Sequence, residues 1–281
     1  MKNFIDIMES KMDKYIINGG KKLCGSLQIK GAKNSVLPLL AGSILTKEKV
    51  VLLNCPDITD VRNMLGILEN LGCKTEFLNG RITVDSANLN NSTICSELAK
   101  ELRSSIFLLG ALLSRVGKAE VSYPGGCDIG LRPINLHING LKALGVEISE
   151  EKDFLNCQFV NPKACKFVLE LPSVGATENI IMASVFIKGV TIVENCAKEP
   201  EIVDLQNFLN LMGAKICGAG TKTIFIEGVK SLHGVEYTPI SDRIVAGTYL
   251  IAGAMCGGEI CLCNATAMHN VSLLNKLSKT S

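Results

Sequence analysis

NSVLPLLAGSILTKEKVVLLN (residues 34–54), RSSIFLLGALLSRVGKAEVSY (103–123), TENIIMASVFIKGVTIVEN (177–195) and DRIVAGTYLIAGAMCGGEICLCN (242–264) are four versions of one phrase. Each is an apolar run of helical length followed by a short β-branched strand. The phrase recurs at a period of about 70 residues, which makes the chain a set of repeated supersecondary units and places it in the α/β (α+β) class. The phrase is answered by a second one: VRNMLGILENLGCKTEF (61–77), LHINGLKALGVEI (136–148) and VDLQNFLNLMGAKI (203–216). These read as amphipathic helices that stop at a glycine, Gly72, Gly145 or Gly213, before a strand begins.

The spacing carries a further expectation. Asn54 lies 18 residues before Gly72, and Asn195 lies 18 before Gly213. The same step from Asn264 lands at 282, one past Ser281. The fourth unit then has a first helix, a strand and a second helix over 271–277, but no closing strand, so the chain reads as a fragment of a longer protein. In the second unit the spacing breaks. Eighteen residues before Gly145 is Cys127, in Pro124-Gly125-Gly126-Cys127-Asp128-Ile129-Gly130-Leu131-Arg132-Pro133. Extra residues at a loop tip commonly carry function. Three glycines free the backbone, and an arginine five residues on would lower the pKa of the thiol. The other cysteines lie in or beside apolar runs.

Composition narrows the class. The 281 residues are 47% hydrophobic and 20% charged, with a net charge of +2 and no tryptophan. That excludes a disordered chain and leaves no basic footprint or stacking surface for nucleic acid. The longest apolar runs, 35–45 and 244–255, are too short for a membrane span. Residues 1–14 are interrupted by charges at Lys2, Asp6, Glu9, Lys11, Asp13 and Lys14 and lack the apolar core of a secretory signal. The twelve cysteines are therefore expected to be reduced, in the cytoplasm. No Cys-x-x-Cys occurs, and Cys261-x-Cys263 reads as two small residues on one face of a strand.

The repeats and four segments in one register resemble the UDP-N-acetylglucosamine 1-carboxyvinyltransferases of the enolpyruvyl transferase family. The segments are Gly31-Ala32-Lys33-Asn34, Arg103-Ser104-Ser105-Ile106, the Cys127 loop with Arg132-Pro133, and Ser173 to Asn179 (SVGATEN). The match runs from about residue 12 to the C-terminus. The resemblance implies two similar domains of βαβαββ-type units, an inside-out α/β barrel, with the site in the cleft between them. It makes 1–11 an extension, 33–228 a complete three-unit domain with a catalytic loop at 122–133, and 12–32 plus 229–281 part of a second domain. It implies transfer of the enolpyruvyl group of phosphoenolpyruvate to the 3′-hydroxyl of UDP-N-acetylglucosamine, a step of peptidoglycan synthesis, by a monomer that needs no cofactor and no metal.

On that resemblance Cys127 donates a proton to phosphoenolpyruvate, while Lys33, Asn34 and Arg132 hold this substrate. Arg103, Arg132, Pro133, Ile134, Asn135, Leu136, Ser173, Val174 and Gly175 hold the UDP-sugar. Asp128 and Asn135 depart from the family's usual alanine and aspartate, and Asp128 sets a negative charge beside the thiol. Read from the residues alone, Asn34 is a helix cap, Ser173 to Gly175 a strand-to-helix loop capped by Thr177, and Arg103 a residue of a first helical turn. Asp242-Arg243 is placed beside the site, and His137 and His233 are read as structural. The general base and further arginines of the family belong to units five and six, so this chain by itself is expected to be nearly silent in catalysis. Two readings compete with this one: the sister enzyme that acts on shikimate 3-phosphate, and a non-catalytic remnant that binds a UDP-sugar.

Overall fold

The computed structural model describes residue 16 and residues 18–94, 103–122, 134–151 and 154–279. Cys127, Asp128, Arg132 and Pro133, and the expected extension at 1–11, lie outside these residues.

The repeat is realised as three four-stranded sheets of one design. In the first unit, helix α1 (Lys33–Gly42) leads to β2 (Val50–Leu52), α2 (Thr59–Asn70), β3 (Lys74–Leu78) and β4 (Arg81–Asp85). In the second, a 3-10 turn (Arg103–Phe107) and α3 (Leu108–Val116) lead to β6 (Lys118–Ser122), α4 (Asn135–Ala143), β7 (Val146–Glu151) and β8 (Phe154–Phe159). In the third, α5 (Val174–Ser184) leads to β10 (Val190–Glu194), α6 (Pro200–Leu211), β11 (Lys215–Cys217) and β12 (Thr223–Glu227).

The fourth strand of each sheet always comes from elsewhere in the chain. β5 (Thr93–Ile94) leaves the first unit and pairs in parallel with β6, and β9 (Lys166–Val168) leaves the second and pairs with β10. β13 (Glu236–Tyr237) leaves the third and pairs with β2, so the ring of three units closes on itself. This pairing carries the three-unit body past residue 228, where the sequence places its end. β1 (Leu23–Gln28) pairs in parallel with β14 (Gly258–Cys263), which follows α7 (Arg243–Cys256) and precedes α8 (Val271–Leu277).

Burial explains the two helix types. Residues 35–42 of α1, 108–113 of α3 and 176–184 of α5 are buried along their length. That is why these runs are apolar with few breaks: they have no solvent face. The strands alternate, with Ile82 and Val84, Ala119 and Val121, and Ile224 and Ile226 turned to the core. The predicted stops hold. Gly72, Gly145 and Gly213 have φ of 97°, 93° and 104°, the left-handed conformation of a helix C-cap. Asn54, Asn195 and Asn264 share φ of 54°, 56° and 61° at equivalent turns. The amides of Asn195 and Asn264 donate to Leu169 O and Ile29 O, tying each strand end to its parallel neighbour. No helix among the described residues is long and apolar enough to cross a membrane.

Candidate active site

Two chain crossings lie side by side where the β1–β14 pair meets the three-unit body. Ala32 N–H donates to Ile240 O and Asp242 N–H to Lys30 O, and Gly31 bridges Ser241 in antiparallel fashion. A cavity of about 530 Å³ opens here, lined by Gly31, Lys33, Asn34, Asp242, Val245 and Tyr249 among others. Lys33 and Asn34 are the first residues of α1, whose cap is Ala32. Asn34 is therefore not the cap that the residues alone suggested, because the chain turns helical one residue earlier, and it stands exposed in the first turn. The backbone N–H of Lys33 donates to Asp242 Oδ2 at 3.3 Å, and its Nζ pairs with Asp60 Oδ2 at 2.9 Å. Both side chains are partly exposed, so this pair is weak. Asp242 Oδ1 caps α7 through Ile244 N and Val245 N, and Asp242 itself lines the cavity.

The segments assigned to the UDP-sugar come together at the same end of the ring. α3 and α5 run in parallel, with Gly110 N–H on Asn179 Oδ1 and Ser114 Oγ on Met182 O one turn later. Their starting turns, Arg103–Phe107 and Ser173 to Gly175, are therefore neighbours, and α1 packs on the 3-10 turn. A Cβ on Gly175 would come within 2.9 Å of Phe107 and 3.1 Å of His137, so the turn fits closely against both. Ser173 is the N-cap of α5, accepting from Ala176 N at 3.4 Å. Thr177 is not the cap: its hydroxyl donates to Ser173 O and accepts from Ala197 N. Ile134 is buried, Leu136 half-buried and Asn135 exposed at the first residue of α4. Arg103 opens the 3-10 turn.

Beneath these turns lie acids that the sequence reading did not single out. Asp204 takes hydrogen bonds from Ser35 Oγ, from Tyr237 OH at 2.6 Å and from Ile240 N at 3.2 Å. Burial pushes its carboxyl above the usual range while these donors pull it back. Glu201, 3% exposed in its side chain, receives Arg243 Nε at 3.0 Å. Glu178 is fully buried with both carboxyl oxygens unbonded. Burial, then the charges of Glu201 and Glu199, hold it well above the ordinary glutamate range. The available signal was a charged and an amide residue, Glu178 and Asn179, set in an otherwise apolar helical run.

The thiols divide by exposure. Burial pushes Cys55, Cys73 and Cys157 up to about 12 and Cys196 to about 11, so these stay protonated and inert. Cys24, Cys217, Cys256 and Cys261 are exposed, so nearness to an apolar run did not mean burial. Strand alternation turns every second residue outward, and α7 keeps an exposed side. Cys261 and Cys263 share one face of β14 with sulfurs 3.9 Å apart. Among the described residues no group of three His, Cys, Asp or Glu is arranged to hold a metal. His233 is exposed, with Nδ1 on Gly234 O, and His137 is buried against Asn179.

The family described as EPSP synthase (3-phosphoshikimate 1-carboxyvinyltransferase) matches residues 17–280. The chain belongs to the EPSP synthase family. Within it, the chain is 54% identical over 269 residues to UDP-N-acetylglucosamine 1-carboxyvinyltransferase 2 of Caldanaerobacter subterraneus subsp. tengcongensis, covering 96% of this chain and 64% of that relative. It is 46% identical to UDP-N-acetylglucosamine 1-carboxyvinyltransferase 2 of Carboxydothermus hydrogenoformans, covering 95% and 64%. The chain thus spans about two thirds, 64%, of each relative's length. In structure it is similar to the enolpyruvyl transferase NikO of Streptomyces tendae, with a TM-score of 0.77, 24% identity and 87% of this chain and 58% of that one covered. EPSP synthase of Acinetobacter baumannii follows with 0.69, 19%, 89% and 57%. These two likenesses establish the EPSP synthase fold of closed α/β units.

Proposed function

We propose that this chain supplies the UDP-sugar surface and one wall of the phosphoenolpyruvate site of an enolpyruvyl transferase acting on UDP-N-acetylglucosamine. The observation that carries this is the 54% identity to a transferase named for that acceptor, over 96% of the chain. The shikimate 3-phosphate alternative is less supported: the EPSP synthase structure shares 19% identity, and the Cys127 loop has no use in that reading.

In the proposed reaction the 3′-hydroxyl gives its proton to the general base that the resemblance places in units five and six, and its oxygen bonds to C2 of phosphoenolpyruvate as C3 takes a proton. The adduct then loses phosphate from C2 and a proton from C3, leaving the enol ether. Cys127 is the proposed proton donor to C3. Lys33, Asn34 and the N-terminus of α1 hold the phosphate and carboxylate, with Arg132 as the bidentate partner. Arg103, Pro133, Ile134, Asn135, Leu136, Ser173, Val174 and Gly175 hold the nucleotide, the start of α5 facing its diphosphate.

Calorimetric titration of the chain with UDP-N-acetylglucosamine is the direct test, and saturable binding that UDP competes for is the expected result. In a protein that carries this chain at the full length of its relatives, phosphate release should require both substrates and be abolished by Cys127→Ala. Phosphate release with shikimate 3-phosphate in place of the UDP-sugar would overturn the reading.

A further inference from the structure

Asn179 sits where three chain segments meet, and one amide is bonded to all of them. It is fully buried in α5. Its Oδ1 accepts from Gly110 N at 2.8 Å, and its Nδ2 donates to Ile106 O at 2.8 Å. The same Nδ2 lies 2.7 Å from Nδ1 of His137, on α4. The backbone partners settle the amide's orientation, because a carbonyl cannot face Oδ1 and an N–H cannot face Nδ2. Both hydrogens of Nδ2 are then committed, one to Ile106 O and one to His137 Nδ1. Nδ1 must accept, so the imidazole is neutral with its proton on Nε2.

That ring edge is the one that meets the start of α5: a Cβ on Gly175 would lie 3.1 Å from Cε1 and 3.3 Å from Nε2. The backbones are equally committed. A Cβ on Gly110 would come 2.2 Å from Asn179 O, so α3 and α5 touch at the level of this amide.

We infer that Asn179 is a positioning residue of the nucleotide site. It locks the turn Arg103–Phe107, the start of α4 and the start of α5 in one arrangement, and it does so through the Nε2–H tautomer of His137. This rests on the proposed binding of a UDP-sugar by those three segments. Such a role exceeds helix packing, because an apolar residue of the same size would pack but could not choose the tautomer.

The test uses the full chain, labelled with ¹⁵N-histidine, in which only three imidazoles give signals to assign. Wild-type His137 should show a single neutral Nε2–H tautomer. Asn179→Asp cannot donate to Nδ1, and should convert His137 to an imidazolium that donates to the new carboxylate. Asn179→Ala should leave a tautomer mixture, and each variant should weaken UDP-N-acetylglucosamine binding about tenfold or more, the scale set by a buried group losing its partner. A wild-type Nδ1–H tautomer overturns the inference without any variant. So does a folded Asn179→Asp chain whose affinity stays within about twofold, well under the loss of one buried hydrogen bond. If the wild-type chain takes no UDP-sugar, the functional reading fails by itself, and the tautomer still decides whether Asn179 orients His137.

Discussion

Glu178 is the residue whose chemistry is least expected from its place. A carboxyl with no bonded partner sits at full burial between Glu201 and Glu199. Its pKa is raised in the folded chain above that in the unfolded chain, so folding favours the protonated form. Its contribution is intact below the ordinary glutamate range and is lost as pH rises toward the folded value. Thermal melts should show this directly. Glu178→Gln should match wild type near pH 4.5 and become progressively more stable relative to it as pH rises to about 8, read as a growing difference in Tm. A wild-type Tm that climbs over this interval relative to the variant would contradict the assignment. The sequence reading passed over Glu178 although a charge in an apolar helical run was visible; the packing of α6 beside α5 shows that nothing answers it.

At the scale of elements, the six helices of the three complete units divide into three that are buried along most of their length and three that carry an outer face. The division was legible, because α1, α3 and α5 read as apolar runs whereas α2, α4 and α6 alternate. Their ends were legible as well, through Gly72, Gly145 and Gly213. The caps were less so. Asn34 and Thr177 are good capping residues by type, yet the helices begin at Ala32 and Ser173, since the crossing at residues 30–32 and the turn against His137 set where each starts. Close approach decides the α3–α5 contact. Gly110→Ala places a methyl within 2.2 Å of Asn179 O, and the helices must separate to admit it. Overpacking of this kind costs about 1–3 kcal/mol or more, so denaturant melts should show a lower midpoint with a similar slope. An unchanged midpoint would mean that the helices lie farther apart than described.

At the scale of the whole molecule, and among the described residues, the three-unit body meets the β1–β14 pair at the antiparallel crossing and meets α7 through the ion pair of Arg243 on Glu201. Glu201 is buried and Arg243 partly so, which makes the pair different in kind from the exposed Arg62–Asp57 and Lys215–Glu227 pairs. Removing one partner strands a buried charge. Arg243→Ala should cost about 3–5 kcal/mol, and adding Glu201→Gln should restore part of it. Additive losses in this double-mutant cycle would show that the two side chains do not couple. The exposed pair, by contrast, should yield no more than about 1 kcal/mol when Lys215→Ala is made.

The sequence by itself determined the unit, its period and the glycine stops, and the buried character of the first helix in three of the four copies; in the fourth, α7, it misled, because Ile244, Val245, Tyr249, Ile251 and Met255 are exposed. Each of these signals is a local preference or one-dimensional patterning, which cannot tell whether a partner surface covers the apolar run. Only the tertiary structure decided which strand joins which sheet. β13 closes the ring on β2 while β1 reaches β14, because parallel pairing depends on where distant segments arrive in space. It alone brought Lys33 to Asp60 and gathered the starts of α3, α4 and α5 around one asparagine, since a hydrogen bond between helices has no periodicity along the chain.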